Sequence, residues 1–137
     1  MKDMKEQGGL ILAEFKIGDR VTAIYKTGKY IGEITEERPQ HYLVRVLAVK
    51  KHPMQGDLHN PKSADVLVFH ERRALAFREQ ANIPKQMVKH FEDEVPEYQT
   101  SLKEAINVMK KELNENPSEW AEMSLKMIDS LEKDYFK

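Results

Sequence analysis

The sequence contains no cysteine, and this absence removes several classes of protein at once. Without cysteine there are no disulfides, no thiolate nucleophile, no Cys-ligated zinc and no lipid attached through sulfur. Long apolar runs are also missing, because the longest are four residues, at 10–13, 46–49, 66–69 and 74–77. A membrane-spanning helix needs about 20 such residues. We therefore expect a cytoplasmic protein with no direct membrane insertion, which reaches a membrane only through a partner.

A strong charge of either sign is absent as well. The 22 basic and 23 acidic residues leave a formal net charge of −1 at pH 7. The balance differs along the chain: residues 1–83 carry +3 and all six arginines, and residues 84–137 carry −4. Because +3 is weak for a nucleic-acid footprint, we favour two parts that complement each other across a shared contact. Nucleic acid is therefore the less favoured partner.

The first part of the chain shows the two-residue period of β-strands. Apolar and polar positions alternate along residues 21–25 and 30–34. Gly28 lies between them and predicts a tight hairpin in which this glycine takes a positive φ. Residues 41–50 are apolar on both faces, which predicts a central strand.

Two further apolar runs, at residues 66–69 and 74–77, predict a fourth and a fifth strand. Five short strands with no helix between them fit a closed sheet, since closure leaves no unpaired edge. We therefore expect a small SH3-like antiparallel β-barrel over residues 10–83. Gly32 fits this barrel as a position where two backbones approach closely.

The second part of the chain shows the helical period. Asn82 as a cap and Pro84 in the first turn predict a short helix that Pro96 ends. Asn116 as N-cap and Pro117 at the first position predict the start of the last helix. The apolar stripes of the last two helices comprise Tyr98, Leu102, Ala105, Ile106, Met109 and Leu113, then Trp120, Met123, Met127, Ile128, Leu131 and Tyr135.

Together the two patterns predict an α+β protein that is mainly β in its N-terminal part. We expect residues 84–137 to form a C-terminal appendage of two to three helices, packed on the barrel as a single compact unit. The methionines of the helical stripes are predicted to fill the core, with an adaptable docking groove as the alternative. They are Met87, Met109, Met123 and Met127.

The segment between the third and fourth predicted strands, residues 51–64, is long for a connection in a small barrel. Such loops are often functional. It brings His52, Asp57 and His59 close in sequence, and these residue types can hold zinc. However, the H-x4-D-x-H spacing matches no known ligand frame, and the loop also contains proline and glycine. We therefore expect no metal here and interpret the three residues as candidates for binding a partner.

A second candidate group follows at His70, Arg72 and Arg73. An imidazole and two guanidinium groups suit an anionic ligand or an acidic partner segment. The alternative is a solvated strand end whose charges, with that of Glu71, satisfy one another or neighbouring acids. The candidate partner-binding residues are thus His52, Asp57, His59, His70, Arg72 and Arg73.

No catalytic motif is found in the sequence. A Walker-type loop, G-x-G-x-x-G and the nucleophile elbow are all absent, so we expect no catalytic residue, no cofactor and no enzyme activity. A face for nucleic acid would need exposed aromatics among basic residues. Tyr25, Lys26, Lys29, Tyr30 and Arg45 are the candidates, but the alternation assigns the two tyrosines to the core.

Four segments of the chain, residues 15–21, 25–34, 49–59 and 69–76, resemble the kinase-associated protein B family of spore-forming bacilli. The resemblance implies an SH3-like barrel with appended helices and a role in support of a membrane sensor histidine kinase that feeds the sporulation phosphorelay. It brings no established catalytic residues. Some relatives are called lipoproteins, but with neither a hydrophobic leader nor a cysteine we expect no lipid anchor of that kind here.

Three hypotheses follow from the sequence. The first is a non-enzymatic protein-interaction module whose partner is a protein, in particular a membrane sensor histidine kinase. The second is an SH3-like module that binds nucleic acid or the ribosome. The third is a metal-dependent enzyme that uses His52, Asp57 and His59. We favour the first, and the sequence indicates no particular oligomeric state.

Overall fold

A computed structural model describes residues 14–137. The predicted start of the β unit at residues 10–13 lies outside the described residues. Five strands form one antiparallel sheet in the order β4-β3-β2-β1-β5. The strands are β1 (Arg20–Tyr25), β2 (Gly28–Glu37), β3 (His41–Lys51), β4 (Gln80–Pro84) and β5 (Val88–His90). Two helices follow, α1 (Tyr98–Glu115) and α2 (Glu119–Tyr135), and a 3-10 turn (Lys85–Met87) joins β4 to β5.

The β1–β2 hairpin is confirmed, but the predicted positive φ of Gly28 is wrong. Tyr25 pairs with Gly28, so the turn itself consists of Lys26 and Thr27, and these two residues take the positive φ values of 46° and 71°. Gly28 is required by space instead, because a Cβ there would lie 2.5 Å from the hydroxyl oxygen of Tyr30.

The central position of β3 is confirmed, since it pairs with β2 on one side and β4 on the other. Gly32 also lies where two backbones approach closely, because a Cβ there would be 2.5 Å from the carbonyl oxygen of Arg45. Three register shifts interrupt the β2–β3 pairing, one of them between Ile31 and Gly32. Such irregularities bend a strand pair, and the long β2–β3 ribbon is bent in this way.

The predicted strands at 66–69 and 74–77 are wrong, as is the predicted helix that begins at Pro84. Both runs lie in irregular backbone, and the fourth and fifth strands are Gln80–Pro84 and Val88–His90. Proline is tolerated at the end of β4 because this strand lies at the sheet edge and needs no further backbone donor there. The sheet thus extends beyond residue 83, where the β unit was expected to end.

The closed barrel is not found. Strands β4 and β5 are the two edges of the sheet, and no pairing joins them within residues 14–137. Nevertheless, Ala81 and Ile83 of β4 share a buried cluster with Val88 of β5. The open sheet therefore curves around its own apolar core. The other members of this cluster are Phe15, Val21, Ala23, Ile34, Tyr42 and Val44.

A second apolar core joins the two helices to the outside of this curved sheet. The stripe predicted for α1 is confirmed, and its buried residues pack with Tyr30, Val46 and Val49 of the sheet and with Ile128 and Leu131 of α2. The predicted N-cap Asn116 is wrong. The hydroxyl of Ser118 accepts a hydrogen bond from the backbone N–H of Ala121, because the turn between the helices is two residues longer than the Asn-Pro signal indicates. Within the described part of the chain, no helix is long and apolar enough to cross a membrane.

Candidate interaction surface

The connection from β3 to β4, residues 52–79, is called here the long loop. It contains no strand or helix, yet hydrogen bonds hold its two arms together. The side chain of Gln55 accepts from the backbone N–H of Arg72 and donates to its carbonyl, both at 2.8 Å. The guanidinium of Arg72 donates to the carbonyl of Gly56, whose own N–H donates to the carbonyl of His70. The long loop is therefore a fixed structure.

His52 lies inside the protein, with no exposed surface. Its Nε2 is 2.9 Å from the hydroxyl of Tyr135 at the end of α2, and its Nδ1 is 3.0 Å from the carbonyl of Pro53. Tyr135 also accepts a hydrogen bond from the backbone N–H of Ala74 at 2.8 Å. The hydroxyl proton is therefore free to go to Nε2, with the imidazole proton on Nδ1. Burial lowers the pKa of His52 to about 4, so the ring is neutral.

The structure thus corrects the assignment of His52 to an accessible partner-binding surface. The sequence pattern indicated an unusual histidine, but both of its ring nitrogens form hydrogen bonds inside the protein. Within residues 14–137, no group of three or more His, Asp or Glu side chains is placed to hold a metal ion.

Asp57 and His59 lie on the outer end of the long loop and form a local turn. One carboxylate oxygen of Asp57 accepts from the backbone N–H of His59, and the other accepts from the side-chain amide of Asn60. These hydrogen bonds lower the pKa of Asp57, and the one from the backbone of His59 has the largest effect. The nearby His70 lowers the pKa of Asp57 further. The structure therefore brings Asp57, His59 and His70 together, and both imidazoles are on exposed residues.

Arg72 and Arg73 are occupied by contacts within the protein. Arg72 closes the long loop as described, and Arg73 forms a 2.6 Å ion pair with Asp134 of α2. The Arg73 guanidinium also lies 5.0 Å from the centre of the Tyr135 ring. Arg73 therefore fits the alternative in which these charges pair with neighbouring acids, whereas Arg72 is held by a backbone carbonyl.

The outer end of the long loop carries apolar residues that were misassigned to a strand. Leu67 is fully exposed and Val68 is 54% exposed. Next to them, the Phe69 ring packs on Gly56, where a Cβ would lie 3.0 Å from the ring and φ is +99°. This contact anchors the exposed pair to the body of the loop. The apolar run itself was the only sequence signal of these residues, and such a run does not show whether its side chains are exposed or buried.

A groove lies between the long loop and the helix ends, and we call it the Trp120 groove. It encloses about 420 Å³ and is lined by Lys51, Met54, Lys62, Met109, Glu112, Leu113, Asn116 and Trp120. The indole N–H of Trp120 donates to the carbonyl of Gln55 at 3.0 Å, which fixes this wall. The lining comes from β3, the long loop and both helices, so no single sequence motif marks it.

The aromatic and basic face considered for nucleic acid does not assemble. Tyr30 is buried, as the alternation indicated, and burial raises the pKa of its hydroxyl to about 12. Arg45 forms an ion pair with Glu33 on the neighbouring strand. Only Lys26 and Lys29 remain near the half-buried Tyr25.

The fold and these surfaces define a class, a small α+β protein with a fixed outer loop and a preformed groove. The chain belongs to the kinase-associated protein B family, whose model matches residues 25–136. It is 59% identical over 125 residues to kinase-associated lipoprotein B of Bacillus subtilis (strain 168), covering 91% of this chain and 98% of that protein. The crystal structure of kinase-associated protein B from Bacillus cereus is similar with a TM-score of 0.76 at 52% identity, covering 89% of this chain and 98% of that one.

Proposed function

We propose that this protein is a non-enzymatic interaction module that binds a protein kinase as an accessory factor, and that this kinase is a membrane sensor histidine kinase that feeds the sporulation phosphorelay. Membership of the kinase-associated protein B family supports a kinase as the partner, because the matched relatives carry that association in their names. On this proposal the protein acts in the cytoplasm and is held near the membrane by the kinase.

The observation that carries a protein partner is the exposed apolar end of the long loop. Leu67 and Val68 are presented to solvent, while the hydrogen bonds between Gln55 and Arg72 keep the loop in place behind them. Residues whose backbone is already held in place lose less conformational entropy when a partner covers them. Their burial then contributes to association.

Polar groups on the same loop suit the edge of such an interface. Protein interfaces place apolar side chains at the centre and polar groups at the rim. Asp57, His59 and His70 lie together on the outer end of the loop and can exchange hydrogen bonds with a partner there. Of the six residues singled out from the sequence, these three are the ones that we assign to partner binding.

The test is the affinity of the full chain for the cytoplasmic portion of the sensor kinase, measured by calorimetry. We expect the double variant Leu67→Ser and Val68→Ser to weaken binding by about tenfold or more, since each lost apolar contact costs on the order of 1 kcal/mol. Val108→Ser is the matched control, because Val108 is 53% exposed but lies on α1. It is expected to bind as the unchanged protein does.

Absence of any binding by the unchanged chain would overturn the kinase as partner. If the unchanged chain binds the kinase and the double variant binds it with the same affinity, the contact does not lie at the end of the long loop.

A further inference from the structure

The Trp120 groove combines an apolar floor with a basic rim. Its floor is formed by Met54, Met109, Leu113 and Trp120. Its volume of about 420 Å³ falls in the range of preformed ligand sites, roughly 300–1,000 Å³. Such a groove can accept a large apolar side chain from another molecule.

The walls of the groove are held by contacts that do not depend on an occupant. Trp120 is fixed by its hydrogen bond to Gln55, and the backbone N–H of Met54 donates to the hydroxyl of Thr27 at 2.9 Å. Thr27 belongs to the β1–β2 turn, so the hairpin supports this wall. The two methionines remain adaptable in shape, as is common where apolar side chains dock. The groove is thus preformed in position and adjustable in detail.

Basic residues outnumber acidic ones in the lining of the groove. Lys51 and Lys62 line the groove, and Lys51 lies directly opposite Lys29 in the β2–β3 pairing. Like charges at facing strand positions destabilise a sheet. Among the described residues none of these three lysines forms an ion pair.

Four of the described lysines elsewhere on the molecule form ion pairs, namely Lys85, Lys103, Lys110 and Lys137. On the helices, Lys103 and Lys110 both contact Glu132, and on the sheet Lys85 pairs with Glu37. The groove lining holds two lysines and a single carboxylate, that of Glu112, so a partner that supplies carboxylates gains by charge complementarity.

We propose that the Trp120 groove binds an acidic segment of the kinase partner, which inserts a large apolar side chain between Met54 and Trp120 and pairs its carboxylates with Lys51 and Lys62. This proposal rests on the proposed function and adds the chemistry of the segment that is recognised. The carboxylate of Glu112, which also lines the groove, disfavours an occupant that is acidic throughout and favours one whose acidic residues lie on one side.

The chain offers a direct probe, because Trp120 is its one tryptophan. A synthetic peptide with a pair of leucines and with glutamates on one side of them is titrated into the full-length protein while tryptophan emission is recorded. We expect a saturable shift of the emission that weakens several-fold between about 50 mM and about 500 mM salt, because ion pairs are screened. Peptides with lysine for each glutamate, or serine for each leucine, are expected to leave the emission unchanged.

Variants then locate the contact. The double variant Lys51→Glu and Lys62→Glu is expected to bind the acidic peptide about tenfold more weakly or worse, and Met54→Ser is expected to weaken it without changing the salt dependence. The matched controls are Lys126→Glu on α2 and Met87→Ser beside β5, both at exposed positions. Both controls are expected to bind normally.

The kinase measurement separates this proposal from the proposed function. If the kinase portion binds, but with the same affinity for the Lys51 and Lys62 double variant and with no change in Trp120 emission, the groove is not its site and the accessory role still holds. Binding of the peptide in which lysine replaces each glutamate would also overturn the proposal that the recognised segment is acidic. So would a shift in emission caused by an oligo(dT) strand, or by raising the protein concentration alone, since these assign the groove to nucleic acid or to a second copy.

Discussion

The imidazole of His52 is enclosed by the long loop and the last turn of α2, and both of its nitrogens are used. Desolvation holds its pKa near 4, whereas the ordinary value is about 6.5. Between these two pH values the unfolded chain carries a proton on this residue that the folded protein does not. The stability that His52 contributes is therefore complete above pH 6.5 and is lost as the pH falls toward 4.

This linkage gives a prediction at the scale of one residue. Between pH 7 and pH 5 we expect His52 to lower the free energy of unfolding by about 2 kcal/mol, from the 1.36 kcal/mol that one pKa unit represents. Urea unfolding at the two pH values measures this loss. His52→Gln is expected to be less stable at pH 7 and to show a smaller loss between pH 7 and 5.

The control for that measurement is His59→Gln, which changes an exposed histidine on the same loop. It should keep the pH dependence of the unchanged protein. Equal slopes for the His52 and His59 variants would mean that the buried imidazole does not control stability in this range.

At the scale of elements, the start of α2 offers a second prediction. Ser118 accepts the hydrogen bond from Ala121, whereas the side-chain amide of Asn116 donates to the carbonyl of Glu112 at the end of α1. Loss of a Ser N-cap typically costs about 1 kcal/mol. Ser118→Ala is therefore expected to lower the free energy of unfolding by about that amount, and Asn116→Ala by less. If Asn116→Ala lowers the free energy of unfolding in urea more than Ser118→Ala does, Asn116 is the N-cap, as the sequence predicted.

The elements that could be predicted are those with long periodic patterns. β1 to β3 and the stripe of α1 repeat their period over many residues, and they are confirmed. The stripe of α2 is confirmed in part, because Ile128 and Leu131 are buried whereas Met123 and Met127 are only half-buried. β4 has only two buried apolar residues, Ala81 and Ile83, and β5 has only Val88. Patterns this short compete poorly with the Asn-Ile-Pro helix signal. The pairing of β4 and β5 with distant strands overrides that local preference, and local preference is all that a sequence pattern reports.

The candidate surface was predictable only in part, for a related reason. The length of the long loop marked it correctly as unusual, and Asp57, His59 and His70 do come together there. Which face of His52 is covered depends on Tyr135, which is 83 residues away in the sequence. The Trp120 groove likewise needs side chains from four separate stretches of the chain. Such long-range contacts leave no spacing in the sequence to be recognised.

At the scale of the whole molecule, the end of α2 holds the long loop against the rest of the fold. Tyr135 contacts His52 near the beginning of the loop and Ala74 near its end, and Arg73 pairs with Asp134 one residue away. Tyr98 of α1 adds a hydrogen bond to the carbonyl of Leu75. The helices therefore hold the loop that carries the proposed kinase contact. Loss of the Tyr135 hydroxyl should loosen both ends of this loop.

Tyr135→Phe tests this connection, because phenylalanine keeps the ring contacts with His52 and Arg73 and removes only the hydroxyl. It leaves the backbone N–H of Ala74 and Nε2 of His52 without a partner, at about 1–3 kcal/mol for each unsatisfied group. We expect the amides of residues 52–56 and 72–76 to exchange hydrogen about tenfold faster or more, with the β1–β2 hairpin unaffected. Tyr42→Phe is the matched control, because Tyr42 is a buried tyrosine that belongs to the core inside the sheet, and it should leave the loop amides unchanged. Acceleration confined to the last turn of α2 would mean that the long loop is held without the helix, and that its end is fixed by the Gln55 and Arg72 contacts alone.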